Sequence, residues 1–445
     1  MSVMTNSNSN SISISARPIF FFFSKSWFIW GSAAIFYFYQ FMLRVSPGVM
    51  ADDLMASFHV DGCALGILTG CYYYAYSILQ IPIGALMDLF KPRRLLTFAA
   101  ILCSLGALVF SSADSLYVAA FGRAMIGAGS AFAFLSCLKL GTIWFPSDQL
   151  PFVVGMSLLL GTIGGVSAGY PMGWLVEIAG WREAMWYVAF AGFALAFLGW
   201  SVVRDKAPDH LEEIVLKSHG DGQSHHPPSS LFKSVAEVIS KPQTWLIALY
   251  GGFMYLPLSG FADLWGPPFL MSVYHFDKSK AGGIVSALYA GIGLGAPLFP
   301  FLSRRLKGYK FPVFISALGA FVFLSLVFYI PHLHPWILTL LLFIAGVFLG
   351  GQFLAFSMTC ALNPISVSGT AGGFHNMICM LSGVIFQPFI GWLLRYNWKG
   401  NYAYGAPVYG ASDYVFALSS ISISLVLACF IVFFINEQYT KLEEK

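Results

Sequence analysis

The sequence predicts an all-α membrane protein with twelve transmembrane helices in two pseudo-symmetric six-helix halves. Three observations support this fold class: the composition, the long apolar stretches and an internal repeat. Of the 445 residues, 58% are hydrophobic and only 10% are charged, and the mean hydropathy is +0.73. Soluble domains carry about 25% charged residues, so this composition is typical of a chain surrounded by lipid.

Each predicted span is a mostly apolar stretch bounded by charged residues, Pro or Gly. A helix needs roughly 20 such residues to cross a bilayer. The twelve predicted spans run over residues 26–49, 64–88, 95–113, 116–143, 152–176, 184–203, 244–271, 281–302, 312–330, 335–358, 370–394 and 413–434.

The Lys and Arg residues outside the spans predict the orientation. Sixteen of them lie in tails and loops on the N-terminal side of the predicted membrane, and five lie in loops on the opposite side: Arg182, Lys278, Lys280, Arg395 and Lys399. By the positive-inside rule, both termini of this multi-pass protein face the cytoplasm. The Ser/Asn-rich start lacks a small-residue cleavage site. The absence of an N-x-[ST] sequon favours a bacterial inner membrane.

A hydrophilic linker divides the chain into two halves. It contains Gly220, a His225-His226 pair and a Pro-Pro-Ser-Ser run, which are typical of a loop. The predicted units are a cytoplasmic tail at 1–25, an N-terminal half at 26–203, the linker at 204–243, a C-terminal half at 244–434 and a cytoplasmic tail at 435–445.

The two halves carry a degenerate sequence repeat. The fifth span ends with residues 170–175, YPMGWL, and the eleventh ends with residues 387–393, QPFIGWL. Six spans separate the two copies, as a parallel duplication requires.

Residues 84–94, GALMDLFKPRR, follow span two. In this position they resemble the signature G-x-L-x-D-R-x-G-R-R of the major facilitator superfamily. The resemblance implies that Gly84 lets two helices approach closely, and that Asp88, Arg93 and Arg94 latch the two halves together on the cytoplasmic side. Leu and Lys replace the usual Arg and Gly of the signature, which implies a weaker latch.

Two further segments extend the resemblance. Residues 123–131 in span four resemble the family pattern R-x-x-x-G-x-G-x-A, and residues 180–182, GWR, resemble a turn common before span six. Span five lacks the G-P pair of the family's drug and proton antiporters, which argues against drug efflux.

Residues 43–50, LRVSPGVM, make span one similar to the organic anion and organophosphate branch of the superfamily. In that branch an arginine at the position of Arg44 holds the anionic group of the substrate. The usual second arginine, in span seven, is absent, which argues against phosphate esters. Amino acid or dipeptide carriers of the superfamily are the alternative.

Four charged side chains lie well inside predicted spans: Arg44, Arg123, Lys139 and Asp263. Placing each of these side chains at the bilayer centre costs about 2.5 to 3.5 kcal/mol. Each therefore needs an oppositely charged partner, a water-filled cavity or a functional role that offsets this cost. Arg44 and Asp263 lie at equal predicted depth in the duplicated spans one and seven. They either bind opposite ends of a zwitterion or pair with each other as an outer gate, and simple packing is a third alternative.

Arg123 and Lys139 are predicted to point in different directions. They are sixteen residues apart in one helix, which separates them by roughly 160° of rotation. We expect a structural or coupling role for Arg123. Lys139 either faces the solute or extends its ammonium group to the cytoplasm.

Polar side chains also recur at helical spacing on spans one, two, seven and eleven, and such stripes usually face the interior of a bundle. On span two the stripe comprises Tyr73, Tyr76, Ser77 and Gln80. His375 either titrates in a proton relay or is a satisfied interior histidine. The predicted solute-binding residues are Arg44, Asp263, Tyr37, Gln40, Tyr76, Tyr255, Lys139, His375 and Asn376. The predicted conformational residues are Gly84, Asp88, Arg93, Arg94 and Arg123.

The motifs argue against an enzyme. The chain has neither G-x-x-x-x-G-K-[ST] nor H-E-x-x-H, and its seven cysteines lack metal-ligand spacing, so we expect no catalytic residue, metal or cofactor. Two related halves suit alternating access better than a channel.

We therefore expect a secondary active transporter of an amino acid, a short peptide or an organic carboxylate, with proton coupling left open. An organic anion uniporter or exchanger and a non-transporting solute sensor are the alternatives. The expected partners are a small solute and the lipid bilayer, with protons as a possible addition and without nucleic acid, and we expect a monomer.

Overall fold

The computed structural model describes residues 25–206, 231–364, 367–403 and 405–436, and most of them are helical. Long helices lie at all twelve predicted spans, and we label them α1 to α12. Their bounds are Lys25–Val45, Gly62–Leu89, Pro92–Ser111, Leu116–Trp144, Leu150–Ala179, Trp181–Val202, Pro242–Tyr274, Lys278–Leu306, Lys310–Tyr329, Pro335–Leu362, Ser368–Asn397 and Ala411–Phe434.

Among the described residues, ten helices are long and apolar enough to cross a membrane, namely α3 to α12. The helices α1 and α2 have 21 and 28 residues. The prediction of a helical membrane protein is confirmed.

Several spans that the sequence predicted as continuous helices are interrupted. The helix α4 breaks after Ser130, and its counterpart in the duplicated half, α10, breaks after Leu349 at a Gly-Gly pair. The helix α5 breaks after Ser167. Glycine and small residues allow these breaks because they tolerate backbone shapes that larger side chains do not.

The helices α1 and α7 change their helical type towards one end. The helix α1 ends at Val45 and continues into a 3-10 turn, Ser46–Met50, which contains Pro47. The helix α7 is π-helical over Pro257–Trp265 before it resumes as Gly266–Tyr274. Proline removes a backbone donor and disrupts the regular helical pattern, and π-helical turns are frequent at functional sites.

The two halves meet along two helix pairs, α2 with α11 and α5 with α8. They are joined at the end of the bundle that the sequence predicts to face outward, which we call the outer end. Lys278 Nζ lies 2.6 Å from Asp53 Oδ2, and Arg395 Nη1 lies 2.6 Å from Asp61 Oδ2. Both ion pairs cross from one half to the other, so the outer end is closed.

Two smaller features were not predicted. A nine-residue helix, Leu231–Ile239, lies within the predicted linker, and Val238 packs it against the start of α11. A two-stranded antiparallel ribbon, Tyr402–Ala403 with Ala406–Pro407, connects α11 to α12. Most of the predicted linker and nearly all of the two predicted tails lie outside the described residues.

Candidate substrate site

Arg44 and Asp263 form a buried ion pair between the two halves. Arg44 lies in the last turn of α1, and Asp263 lies in the π-helical part of α7. Arg44 Nε is 3.2 Å from Asp263 Oδ2, and the two side chains are only 4% and 0% exposed. Equal depth in the duplicated helices therefore brings the two charges into direct contact.

Two tyrosines complete the surroundings of the Asp263 carboxylate. The Tyr73 hydroxyl donates a hydrogen bond to Oδ2, and the Tyr289 hydroxyl donates one to Oδ1. Tyr73 belongs to α2 in the N-terminal half, and Tyr289 belongs to α8 in the C-terminal half. Both carboxylate oxygens thus accept hydrogen bonds, and the carboxylate links the two halves.

The Arg44 guanidinium has fewer partners than its buried position requires. Its Nη1 donates to the Tyr255 hydroxyl at 2.8 Å, and its Cζ lies 4.0 Å from the centre of the Phe41 ring. Nε is near Asp263 but its N–H is not aimed at the carboxylate, so Nε and Nη2 find no hydrogen-bond acceptor among the described residues. A buried donor without an acceptor is costly, so these two nitrogens can receive an anionic group.

Arg123 fixes the end of the helix that carries Arg44. Its Nη1 donates to the Leu43 carbonyl at 2.9 Å, and its Nη2 donates to the Arg44 carbonyl at 3.3 Å. The last carbonyls of a helix lack partners within the helix and form its negative end, which favours a cation there. The contacts of Arg123 fit the predicted structural role, which remains a prediction.

Polar residues of α1 and α2 meet next to the ion pair, and one of them, Tyr72, lies outside the stripe predicted for α2. The Tyr72 hydroxyl donates to Gln40 Oε1 at 2.9 Å, and the Tyr72 and Tyr76 rings stack with centres 5.9 Å apart. Tyr76 lies close to Asn376 of α11 in the other half. Tyr37 packs edge-on against Phe41, with the ring centres 5.1 Å apart.

Other predicted residues lie apart from the ion pair. His375 Nδ1 is 2.8 Å from Thr359 Oγ1 of α10, within the C-terminal half. Lys139 lies near the inner end of α4. The His375 contact fits the alternative of a satisfied interior histidine, and both alternatives for His375 remain predictions.

The predicted cytoplasmic latch is only partly described. Arg93 Nε donates to the Trp200 carbonyl at 2.7 Å, a contact within the N-terminal half, and Arg94 is exposed. Gly84 and Asp88 lie in α2, but their side-chain surroundings fall outside the described part of the chain. The latch therefore remains a prediction.

Tyr289 was missed by the sequence analysis, although the internal repeat contains a signal for it. Asp61 caps α2 and Asp277 caps the corresponding helix α8, each by accepting a backbone N–H. Tyr73 and Tyr289 each follow their capping aspartate by twelve residues. Aligning the halves on these two caps would have paired the tyrosines.

A recess of about 560 Å³ at the outer end contains a titratable pair outside the spans, Asp52 and Asp53. The pKa of Asp52 is raised to about 6, first because surrounding atoms remove water from the carboxyl group and then because Asp53 is negative. Lys278 opposes this shift. Asp52 is nevertheless an exposed residue, so solvent screens its charge and limits the effect of this shift on stability.

The sequence profile described as Major Facilitator Superfamily matches residues 29–387. The chain is 25% identical over 424 residues to the probable sulfoacetate transporter SauU of Cupriavidus necator, covering 90% of this chain and 94% of that protein. It is 24% identical over 392 residues to a probable hexose phosphate transport protein of Chlamydia pneumoniae, with 84% and 86% covered. It is 23% identical over 393 residues to the probable galactarate/D-glucarate transporter GudP of Escherichia coli, with 82% and 86% covered.

Two solved structures share the fold. One is an inward-facing, unoccupied bacterial homologue of the human lysosomal transporter Spinster, with a TM-score of 0.78, 19% identity, and 95% of this chain and 98% of that chain covered. The other is a mutant of the nucleoside transporter NupG, with a TM-score of 0.69, 14% identity, and 92% and 100% covered.

Proposed function

The chain belongs to the Major Facilitator Superfamily, and from this premise we propose that it is a secondary transporter that carries small organic anions by alternating access. In this proposal Arg44 receives the anionic group of the solute between the two halves. The ion pairs at the outer end separate when the site opens outward, and they re-form when it opens inward.

The observation that carries the proposal is the incomplete hydrogen bonding of the Arg44 guanidinium. Among the described residues, two of its buried nitrogens lack an acceptor, and the neighbouring buried charges are Arg123 and Asp263. Two positive charges and one negative charge leave this cluster with an excess of one positive charge, which an anion neutralises. The planar fork of an arginine suits a carboxylate or a sulfonate, which can accept two hydrogen bonds at once.

The relatives support the same class of solute. Sulfoacetate, galactarate, D-glucarate and hexose phosphate, the compounds in their names, are all organic anions. A carboxylate or sulfonate suits this site better than a phosphate dianion, because span seven lacks the second arginine of the organophosphate branch and carries the negative charge of Asp263.

The hydrogen bonds of Asp263 argue against a zwitterionic solute. Both of its oxygens already accept from Tyr73 and Tyr289, and Arg44 lies beside them. An ammonium group would have to share the carboxylate with these two hydroxyls and with the positive charge of Arg44. Amino acids and peptides are therefore the weaker alternative.

Transport by reconstituted protein tests the proposal. Proteoliposomes would be offered radiolabelled sulfoacetate, glucarate, a hexose phosphate and, as a zwitterionic control, a neutral dipeptide. We expect saturable uptake and counterflow of at least one anion. Arg44→Lys keeps the charge but loses the fork, and we expect it to lower uptake roughly tenfold or more. Binding without any flux would indicate a sensor, and transport of the dipeptide alone would refute the anion proposal.

Proton coupling is the finer part of the proposal. We expect an imposed inward proton gradient to drive accumulation above the equilibrium level. Accumulation that survives collapse of the gradient would refute the coupling and leave the anion transport unaffected.

A further inference from the structure

The geometry points to a second role for the ion pair, and we propose that Asp263 is a resident replacement for the anionic group of the solute. It neutralises Arg44 whenever the solute has left, and so it allows the unloaded carrier to reorient. The protein is then capable of net transport and is not restricted to exchange. This inference rests on the proposed function.

Because of where the pair lies, the positive charge of Arg44 must be neutralised before the two halves can move past each other. Arg44 belongs to the N-terminal half and Asp263 to the C-terminal half, and both are buried where the halves touch. A carrier that alternates must bring these surfaces together in every cycle. Arginine does not lose its proton in proteins, so each closure buries the positive charge of Arg44. Breaking a buried pair by removing one partner is strongly destabilising, because the remaining charge has no compensation.

The two tyrosines allow Asp263 to give up Arg44 without becoming unpaired. When a solute anion takes the guanidinium, Oδ1 and Oδ2 still accept from Tyr289 and Tyr73. Arg44 in turn keeps Tyr255 and the face of Phe41. Solute binding is then an exchange of one anionic partner of Arg44 for another.

The groups that compensate the charge of Arg123 do not change during the cycle. Its guanidinium donates to the Leu43 and Arg44 carbonyls at the end of α1, within its own half. These contacts persist whether or not a solute is bound. Among the described charges of the cluster, the compensation of Arg44 is therefore the part that changes during the cycle.

Asp263→Asn tests this inference, with Asp263→Glu as the matched control that keeps the charge. Two rates are measured for each protein in proteoliposomes: net uptake into vesicles without internal solute, and exchange in vesicles preloaded with the same unlabelled anion. Only net uptake requires the unloaded carrier to reorient. We expect the ratio of net uptake to exchange to fall roughly 100-fold in Asp263→Asn and to stay near the wild-type ratio in Asp263→Glu.

A distance measurement on purified protein gives a second readout that does not depend on transport. Spin labels at Tyr117 and Trp336, exposed residues at the outer ends of α4 and α10, report the separation of the halves. We refer to them as the outer label pair. Without solute, we expect Asp263→Asn to lose the short-distance population, and the uncharged double variant Arg44→Gln with Asp263→Asn to regain it.

The outcomes separate this inference from the proposed function. If wild-type protein transports no anion in either mode, the proposed function fails. If wild-type protein performs both modes and Asp263→Asn keeps the same ratio and the same distances, the resident-carboxylate inference fails while anion transport stands. If Asp263→Asn inserts correctly but loses exchange as completely as net uptake, Asp263 binds the solute itself, and the inference is again refuted.

Discussion

Closure of the outer end depends on a glycine contact between the two halves, and this contact can be tested by adding one methyl group. Gly66 of α2 faces α11 so closely that a Cβ atom at this position would lie 2.4 Å from the Gln387 carbonyl oxygen and 2.5 Å from Pro388 Cα. Ordinary van der Waals contact begins at 3.4 Å. The two helices must therefore separate by about 1 Å in Gly66→Ala.

Local movement of α11 cannot easily absorb this shift. The Gln387 carbonyl accepts from Trp265 Nε1 at 3.1 Å, and Gln387 Nε2 donates to the Ser259 carbonyl at 2.7 Å, so α11 is tied to α7 at this level. Overpacking of this kind costs about 1–3 kcal/mol, which corresponds to a factor of roughly 5 to 150 in an equilibrium. The cost falls only on conformations in which α2 and α11 touch.

We expect Gly66→Ala to shift the protein from the closed to the open form of the outer end by about this factor. The outer label pair measures the shift as the ratio of long to short distances. Gly70→Ala is the matched neutral control, because a Cβ one turn further along α2 meets its nearest atom at 3.9 Å.

Gly127→Ala is the control for an equally tight contact inside one half. Its Cβ would lie 2.1 Å from the Tyr72 carbonyl oxygen in the same half. We expect a lower unfolding temperature for this variant but unchanged label distances. The reasoning would be refuted if Gly66→Ala lowered the unfolding temperature like Gly127→Ala and left the distances unchanged.

Three other predictions follow from the charged groups. Arg123→Gln removes charge-assisted bonds to the end of α1 and should destabilise the protein by about 1.5–3 kcal/mol, seen as a lower unfolding temperature; an unchanged temperature would exclude the structural role. Arg395→Gln removes an exposed ion pair with Asp61, so we expect a shift of less than about 1 kcal/mol in the distance ratio of the outer label pair, decreasing with added salt; a larger or salt-independent shift would contradict this. Because the pKa of Asp52 is raised to about 6 in the folded protein, its carboxyl group loses a proton as the pH rises from about 4 to 6, and the folded state loses stability over that range. Asp52→Asn should therefore unfold at a higher temperature than wild type at about pH 7.5 but not at about pH 4. Unfolding temperatures of the two proteins that change in parallel with pH would contradict this prediction.

The internal repeat predicted some residues of the candidate site from the sequence, but not all of them. Equal depth in duplicated helices singled out Arg44 and Asp263, and in the structure Arg44 Nε lies 3.2 Å from Asp263 Oδ2. The same repeat, aligned on the capping aspartates, contains Tyr73 and Tyr289, but tyrosines are common in this chain and their polar tips could have faced several neighbours. His375 met the same criteria of depth and polarity, yet its partner is Thr359 in its own half.

The sequence by itself determined the solvent, the number and placement of apolar stretches, the duplication and the family resemblance. These features depend only on composition and on the order of residues along the chain. In lipid, each spanning segment must satisfy its own backbone polar groups by forming a helix, so a long apolar stretch is enough to predict a span. The partner of each buried side chain was decided only by the tertiary structure. Such partners depend on how each helix is rotated and how closely it approaches its neighbours. The approach is set by the fit of residues distant in sequence, such as Gly66 against Gln387. The rotation of Asp263 is set by the π-helical turns of α7 that carry it.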